Sequence, residues 1–441
     1  MKRLLSLLLC AVLALFCATT AQAAGVSITL TASEYALHYA FDAGAQDPFV
    51  ILEYTTPAEK GWMMLYSADG HFEGDVSLAY SGAGGKTSVA LTSARTTGSI
   101  GKASTTLPKA VDYQKPTGKS NAKVMDFVLT ETPEGFHYAF NAAGTDYMLL
   151  YWRSKEQTVT QPVYPDENGH YEGDVISDLT FARTQFTVQV KSGSGSMKKE
   201  ATVRKGYQAP EAPQRQEGRL SGVTVCIDAG HQENGRFVNE PIGPGLSGST
   251  SGKGGMAQGT KTNRRESIVC LEIGMLLRDE LLRQGANVIM TREDQTTFHT
   301  NIERCEIAEA GGAQIMLRLH CNNSSNHSKR GIQVYGPLNS DYAKAVADAD
   351  TYREMGQKLL DAMKTRVGMT LANSTGMVRL NDNYVGNNWA KMMCFLVEMG
   401  YLSNPAEEYL LVTPVYQQWL AEGMADGVYE IAVARGWVQA Q

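Results

Sequence analysis

The 441-residue chain has no excess of basic residues, with 40 Lys and Arg against 46 Asp and Glu and a formal net charge of −6. It carries no basic stripe of the kind that tracks a phosphate backbone, which argues against nucleic acid as the partner. Long apolar runs are also missing beyond the start. There, Lys2 and Arg3 precede an apolar stretch from Leu4 to Phe16, and Ala21-Gln22-Ala23 follows as a small-x-small cleavage site. This pattern reads as an export leader over residues 1–23, with no stable membrane span once it is removed, so the mature chain is expected to be secreted.

Cysteine is scarce. Cys10 and Cys17 fall in the leader, leaving Cys226, Cys270, Cys305, Cys321 and Cys394, all in the second half. An odd number embedded in apolar runs does not make a disulfide framework, and buried free thiols are the commoner reading.

What the chain does have, first, is a repeat. Leu37-His38-Tyr39-Ala40-Phe41 recurs as Phe136-His137-Tyr138-Ala139-Phe140, and Gly70-His71-Phe72-Glu73-Gly74-Asp75-Val76 recurs as Gly169-His170-Tyr171-Glu172-Gly173-Asp174-Val175. Both matches keep one offset of 99 residues, which implies duplication. Short alternating runs punctuated by Gly, Asn and Asp suggest two tandem small all-β modules, over 25–105 and 123–205. Segments 106–122 and 206–219 read as linkers, the second carrying Pro210 and Pro213, and the modules as independent beads. His38, His71, His137 and His170 repeat with the modules. His beside Tyr and Phe on a strand is more often structural than a metal ligand, while aromatic clusters can stack on sugar rings.

From residue 220 the pattern changes. Apolar strand-like runs alternate with helical ones: Val223 to Ile227, a helix over Arg264 to Arg283, Ala286 to Thr291, Ile302 to Ala310, Ile315 to Leu319, a helix over 342–366, Met393 to Val397, and a helix over 414–436. This predicts an α/β domain over 220–441 with a mainly parallel twisted sheet flanked by helices.

Polar residues mark the ends of these apolar strands. His231 follows one, His320 closes a second and Glu398 closes a third, where open α/β sheets gather their sites. Glu266 precedes Cys270 by four residues and so projects from the helical face that must be buried. Two imidazoles and a carboxylate around one ion, with a position left for water, is a recurrent catalytic zinc arrangement, and a nearby carboxylate such as Glu398 suits the proton transfer. Each residue has an ordinary alternative. His231 could cap a loop, Glu266 could pair with Arg264 or Arg265, and Glu398 could cap the turn before Gly400. His299 and His327 rank below as ligands because their surroundings read as exposed loops. A Cys–His hydrolase lacks an activated thiol, since Cys226 and Cys394 lie inside strands.

Over about residues 220–436 the sequence resembles the zinc-dependent N-acetylmuramoyl-L-alanine amidases of bacterial walls and phage lysins (amidase type 3). The resemblance rests on Ile227-Asp228-Ala229-Gly230-His231, on Glu266 opening a helix, and on Thr291-Arg292-Glu293-Asp294. It continues through Leu319-His320-Cys321-Asn322 and the long run Leu396-Val397-Glu398-Met399-Gly400-Tyr401-Leu402-Ser403-Asn404-Pro405. It implies one Zn2+ on His231, Glu266 and His320, Glu398 as catalytic carboxylate, and peptidoglycan as substrate, cleaved between the lactyl group of N-acetylmuramic acid and L-alanine. Asn388 and Trp389 are expected as substrate contacts, as is Asn322, and the β modules as wall-binding. The sequence departs from the family pattern at Gln232 and Glu233 after the first histidine, at Arg318 before the second, and in a Gly-rich stretch over 243–259. Another zinc-dependent wall peptidase or deacetylase, or a wall-binding protein with little catalysis, is the competing reading.

Overall fold

The computed structural model describes residues 18–22, 26–33, 36–57, 60–78, 84–109, 123–132, 135–143, 148–153, 158–163, 165–176, 184–192, 196–205, 211–232, 238–250, 255–262, 264–368 and 378–440. The expected leader therefore lies outside the described residues except for β1 (Ala18–Gln22). The first repeat comprises β2 (Ser27–Ala32), β3 (Ala36–Asp42), β4 (Phe49–Thr55), β5 (Lys60–Tyr66), β6 (His71–Ser77), β7 (Gly85–Ser93) and β8 (Ser99–Leu107), with β1 antiparallel to β2. The second comprises β9 (Lys123–Thr132), β10 (Gly135–Ala143), β11 (Met148–Arg153), β12 (Thr158–Val163), β13 (His170–Ile176), β14 (Thr184–Ser192) and β15 (Met197–Lys205).

Both copies share one topology. The first, second and fifth strands form one sheet, and the fourth, third, sixth and seventh form the other. Inward residues at every second position, such as Leu37, Tyr39 and Phe41 on β3, join the two sheets into a sandwich core. Equivalent ring pairs anchor the copies, Phe41 stacked on Phe72 at 4.9 Å and Phe140 on Tyr171 at 4.6 Å. The repeated histidines bond acidic or amide neighbours: His38 meets Asp75 at 3.1 Å, His137 meets Asp174 at 2.9 Å, and His170 meets Asn141 at 2.8 Å.

The second half is built on a six-stranded sheet of β16 (Thr224–Ala229), β17 (Asn287–Met290), β18 (Ile315–Asn322), β19 (Gln333–Gly336), β20 (Val378–Leu380) and β21 (Met393–Tyr401). Their order is β17-β16-β18-β21-β19-β20. The sheet is mixed rather than wholly parallel. The β16–β17, β16–β18, β18–β21 and β19–β20 ladders are parallel, but β19 runs antiparallel to β21. A parallel return needs a long crossover, and the segment from Asn323 to Ile332 contains no helix, so the chain reverses direction.

Helices α1 (Glu266–Arg283), α2 (Asn301–Ala310), α3 (Asp341–Val346), α4 (Ala349–Val367), α5 (Val385–Trp389), α6 (Glu407–Leu411) and α7 (Pro414–Ala434) complete this half. Thr300 and Glu303 start α2 with a reciprocal capping box. The helix expected over 342–366 is two helices, because Asp348 leaves helical geometry to cap α4 through Thr351 N at 2.7 Å. The central strands are buried on both faces. Val225, Ile227, Leu317, Leu319, Phe395 and Val397 share a core with α1, α4 and α7, whereas Cys226, Met316 and Cys394 join Cys305 and Ala308 of α2 on the other side. All five cysteines of this half are buried and free.

The expectation of independent beads is corrected for the first repeat. On β4, Phe49, Val50, Ile51 and Leu52 are all buried, breaking the alternation of a half-exposed strand. The second half covers its outer face. Phe49 lies edge-on to Tyr416 and Trp419 at 5.9 and 5.2 Å, Tyr66 edge-on to Trp419 at 5.4 Å, and Trp62 against Tyr409 at 4.2 Å. Beside this apolar seam, the buried Arg330 guanidinium donates to the Ala94 carbonyl at 2.9 Å and to that of Arg95. The 206–219 linker is likewise tied down at its end: Gln216 N donates to Leu282 O at 3.0 Å and Arg215 to Gly285 O at 2.9 Å.

Candidate functional site

The sheet topology delivers the site. β16, β18 and β21 are parallel neighbours, so their C-terminal ends lie together. His231 follows β16. His320 and Glu398 lie inside β18 and β21 rather than closing them, because pairing continues past them: His320 is directly opposite Glu398, and Asn322 opposite Tyr401. Glu266 is the first residue of α1 and is only 3% exposed.

Three of these residues converge. His231 Nε2 lies 3.1 Å from Glu266 Oε1, and His320 Nδ1 lies 2.9 Å from the same oxygen. The rings meet edge to face at 4.8 Å between centroids. One ligand atom from each residue falls within 4.8 Å of the others, and among the described residues this is the one such group of His, Cys, Asp or Glu. Glu266 answers the question of how a carboxylate tolerates the core face. Its Oε2 accepts from Ala257 N at 2.7 Å, and Oε1 accepts from Cys321 N at 3.0 Å and faces both imidazoles. Burial alone would raise its pKa, but the two histidines outweigh that and hold it below the usual carboxylate range. Burial pushes His320 down, favouring a neutral ring with a lone pair to offer.

Glu398 has the opposite character. Burial first, and the Glu266 charge second, push its carboxyl well above the usual range. Its Oε2 is buried with no hydrogen-bond partner. It caps no turn; the backbone N–H of Tyr401 is taken by Glu407 at 2.8 Å. An orphaned buried oxygen beside a two-imidazole, one-carboxylate cluster fits a site that receives a cation and a reacting water.

Backbone geometry is shaped to the cluster. His231 sits at φ 57, a left-handed conformation that costs a non-glycine residue energy and is held by its surroundings. Arg304 donates to the His231 carbonyl at 3.2 Å. Arg292 donates to the Gly230 carbonyl at 2.8 Å and to that of Ser267 at 2.7 Å, clamping the turn that carries His231 to the first turn of α1 that carries Glu266. Beneath them Asp228 accepts from Arg318 at 2.8 Å, from Thr291 at 2.8 Å and from Arg304. Arg318, a departure from the family pattern, thus has a defined place. The sequence assigns Arg292, Arg304 and Asp228 no roles; the available signal is that Asp228 and Thr291-Arg292 lie in segments that carry the resemblance.

The cluster opens into a cleft of about 890 Å³, lined among others by Glu398, Asn322, His299, Asn301, Tyr384 and Arg318. Asn322, one of the expected substrate contacts, is among the lining residues, whereas Asn388 and Trp389, the other two, are not. Asn388 is fully buried and donates to Ile242 O at 3.0 Å and Asp382 O at 2.9 Å, and Trp389 Nε1 donates to Pro241 O at 2.9 Å. Both hold the 241–242 loop. His299 lines the cleft outside the triad, and His327 is exposed. From the Gly-rich stretch, Gly255, Met256 and Ala257 form part of the wall.

Residues 225–430 match the family profile described as N-acetylmuramoyl-L-alanine amidase. The chain is 26% identical over 231 residues to the germination-specific N-acetylmuramoyl-L-alanine amidase of Bacillus subtilis (strain 168), covering 49% of this chain and 83% of that protein. It is 27% identical over 218 residues to the probable cell wall amidase LytH of Staphylococcus aureus, covering 48% of this chain and 60% of that protein. Among solved structures, the N-acetylmuramyl-L-alanine amidase Ami1 of Mycobacterium smegmatis aligns with a TM-score of 0.44 and 17% identity, over 49% of this chain and 100% of that one.

Proposed function

We propose that this protein, whose residues 225–430 match the N-acetylmuramoyl-L-alanine amidase family, is exported and hydrolyses peptidoglycan at the amide between the lactyl group of N-acetylmuramic acid and the L-alanine of the stem peptide. The organisation that goes with this reading is a leader over 1–23, β modules over 25–105 and 123–205, linkers over 106–122 and 206–219, and a catalytic domain over 220–441. Among the described residues no helix is long and apolar enough to cross a membrane.

One observation carries the catalytic reading: His231, Glu266 and His320 present their ligand atoms to one point while Glu398 keeps an unpartnered oxygen beside it. His231, Glu266 and His320 would hold one zinc ion. Bound there, zinc would supply a Lewis acid that makes water acidic and polarises the amide carbonyl. Glu398 takes the proton from the attacking water and passes it to the leaving nitrogen. A carboxyl with raised proton affinity suits both halves of that transfer. Arg292 and Arg304 keep the His231 turn and the α1 terminus in place throughout, so the ligand set does not reorganise as charge develops.

End-group analysis of digested sacculi tests the reading. The expected product is new N-terminal L-alanine, absent with Glu398→Gln. Other amino-terminal residues would mean a peptidase, released acetate a deacetylase, and no products a binding protein; each of these overturns it.

A further inference from the structure

The outer face of the sheet β5-β4-β7-β8 is divided in two. Towards one end, Phe49, Ile51, Met64 and Tyr66 press against the catalytic half through Tyr409, Tyr416 and Trp419. Strand register carries the same face onward in rows. Glu53 is opposite both Trp62 and Ala90, with Lys102 beyond Ala90. In the next row Thr55 is opposite Lys60 and Ser88, with Ser104 beyond. Here Tyr409 of the catalytic half rests against Trp62, and beside that contact lies a cleft of about 850 Å³ whose lining also includes Lys261.

The chemistry of this cleft is one-sided. Small side chains, Ala90, Ser88 and Ser104, make its floor, and four lysines, Lys60, Lys86, Lys102 and Lys261, surround it. All four are exposed, and none has a carboxylate partner among the described residues. Glu53 is the one acidic residue in the lining, so the lysines outnumber it in a chain whose overall charge is −6. Trp62, packed against Tyr409 yet 38% exposed, adds aromatic surface at the same place. Clustered, unneutralised ammonium groups around a smooth floor with an aromatic ring suit an anionic polymer built on sugar or polyol units.

A second observation connects this cleft to the catalytic one. The segment 255–262 lines both, with Gly255, Met256 and Ala257 at the catalytic cleft and Lys261 at the basic one. It is pinned at each end. Ala257 N donates to Glu266 at 2.7 Å, while Lys261 N and Thr262 N donate to the buried Glu408 at 2.9 and 3.1 Å. We infer that the basic cleft between the first β module and the catalytic half binds an anionic wall polymer, one bearing phosphate or carboxylate groups on sugar or polyol units. The bound polymer keeps adjoining glycan at the mouth of the catalytic cleft. This inference rests on the wall-hydrolase reading for its substrate, but its binding chemistry can be measured without turnover.

The test is co-sedimentation of the full chain with sacculi, using Glu398→Gln as parent so that the wall stays intact, at salt of about 0.1 M and about 0.5 M. The parent is expected to pellet at low salt and to be released at high salt. Adding Lys60→Gln, Lys86→Gln and Lys102→Gln together should weaken pelleting at low salt by about tenfold. The same three changes in the Glu398 enzyme should leave turnover of a soluble muramyl peptide within about twofold, because the exposed lysines stand outside the catalytic cleft. Lys261→Gln reaches the cleft from its opposite wall and should weaken pelleting in the same direction. Sacculi stripped of phosphodiester-linked polymers by hydrofluoric acid distinguish the sources: lost binding assigns the phosphates, and kept binding assigns carboxylates that survive the treatment. Pelleting that is indifferent to salt, or equal in the triple variant and its parent, would overturn the inference. Hydrolysis of the wrong bond would overturn the amidase reading and leave the pelleting result standing.

Discussion

Gly230 lies so close to His320 that a Cβ on residue 230 would stand 2.6 Å from the imidazole Cε1 and closer still to the Leu319 carbonyl oxygen. The glycine between β16 and His231 is therefore part of how the second histidine is seated. Gly230→Ala must displace either the ring or β18. We expect a loss of about 1–3 kcal/mol in stability from overpacking, with lowered zinc content. Calorimetry and metal analysis on the purified variant check this; a variant with full zinc and an unchanged melting temperature would show that the site gives way freely.

His320→Ala and Glu398→Gln should separate into two phenotypes. The first removes a donor of the cluster and is expected to reduce bound zinc. The second keeps all three donors, so zinc should stay near one per chain while wall hydrolysis falls by about 10²–10⁴-fold, the usual worth of a positioned proton carrier. Zinc stoichiometry and turnover measured on the same preparations decide it. Equal zinc loss in both variants would mean that Glu398 is a ligand.

Asp228 accepts from Arg304 and Arg318 in the interior, and these guanidiniums hold its carboxyl far below the usual range against the effect of burial. Its folded-state pKa is depressed, so its stabilising contribution is present above the unfolded value of about 3.9 and is lost as pH falls below it. Asp228→Asn leaves two buried cations without their anion and should cost about 3–5 kcal/mol at neutral pH. The gap from the native chain should narrow below about pH 4. Urea unfolding at pH 7 and pH 3 measures both; a gap of the same size at the two values would contradict the assignment.

Phe49 belongs by sequence to the first module and by packing to the catalytic half, where it meets Tyr416 and Trp419. Phe49→Ala should cost about 3–5 kcal/mol and uncouple the module, so that one cooperative unfolding step becomes two. Differential scanning calorimetry, with protease sensitivity around Ala94 and Arg95, reads this directly. A single unshifted transition would mean that the contact contributes little to stability.

Much of this was legible in the sequence, for identifiable reasons. His231, Glu266, His320 and Glu398 stood out because each interrupts an apolar pattern at a place where a polar group needs a purpose. The duplication is written in nearly identical strings. The antiparallel β19 was missed because Gln333–Gly336 is four residues long, all buried, and shows no alternation. The seam between module and catalytic half was missed because a strand's pattern reports whether its outer face is apolar, not what covers it; in hindsight, four consecutive apolar residues from Phe49 to Leu52 were the signal. Arg292 and Arg304 were given no role because a guanidinium serves carbonyls on several distant segments, and no local spacing encodes that. The motif puts Asn388 and Trp389 on the substrate side, and no local spacing encodes their hydrogen bonds to Ile242 and Pro241.

The module–catalytic seam also governs how the chain can mature. Phe49 near the beginning waits for Trp419 near the end, with an entire second sandwich folding in between. During synthesis the early module must carry an uncovered patch of Phe49, Ile51, Trp62 and Tyr66 until α7 arrives, a sticky interval that long-range pairing makes slow. Closure of the seam is then the final event of assembly. Truncation anywhere before α7 would leave the first module permanently unfinished and prone to aggregate.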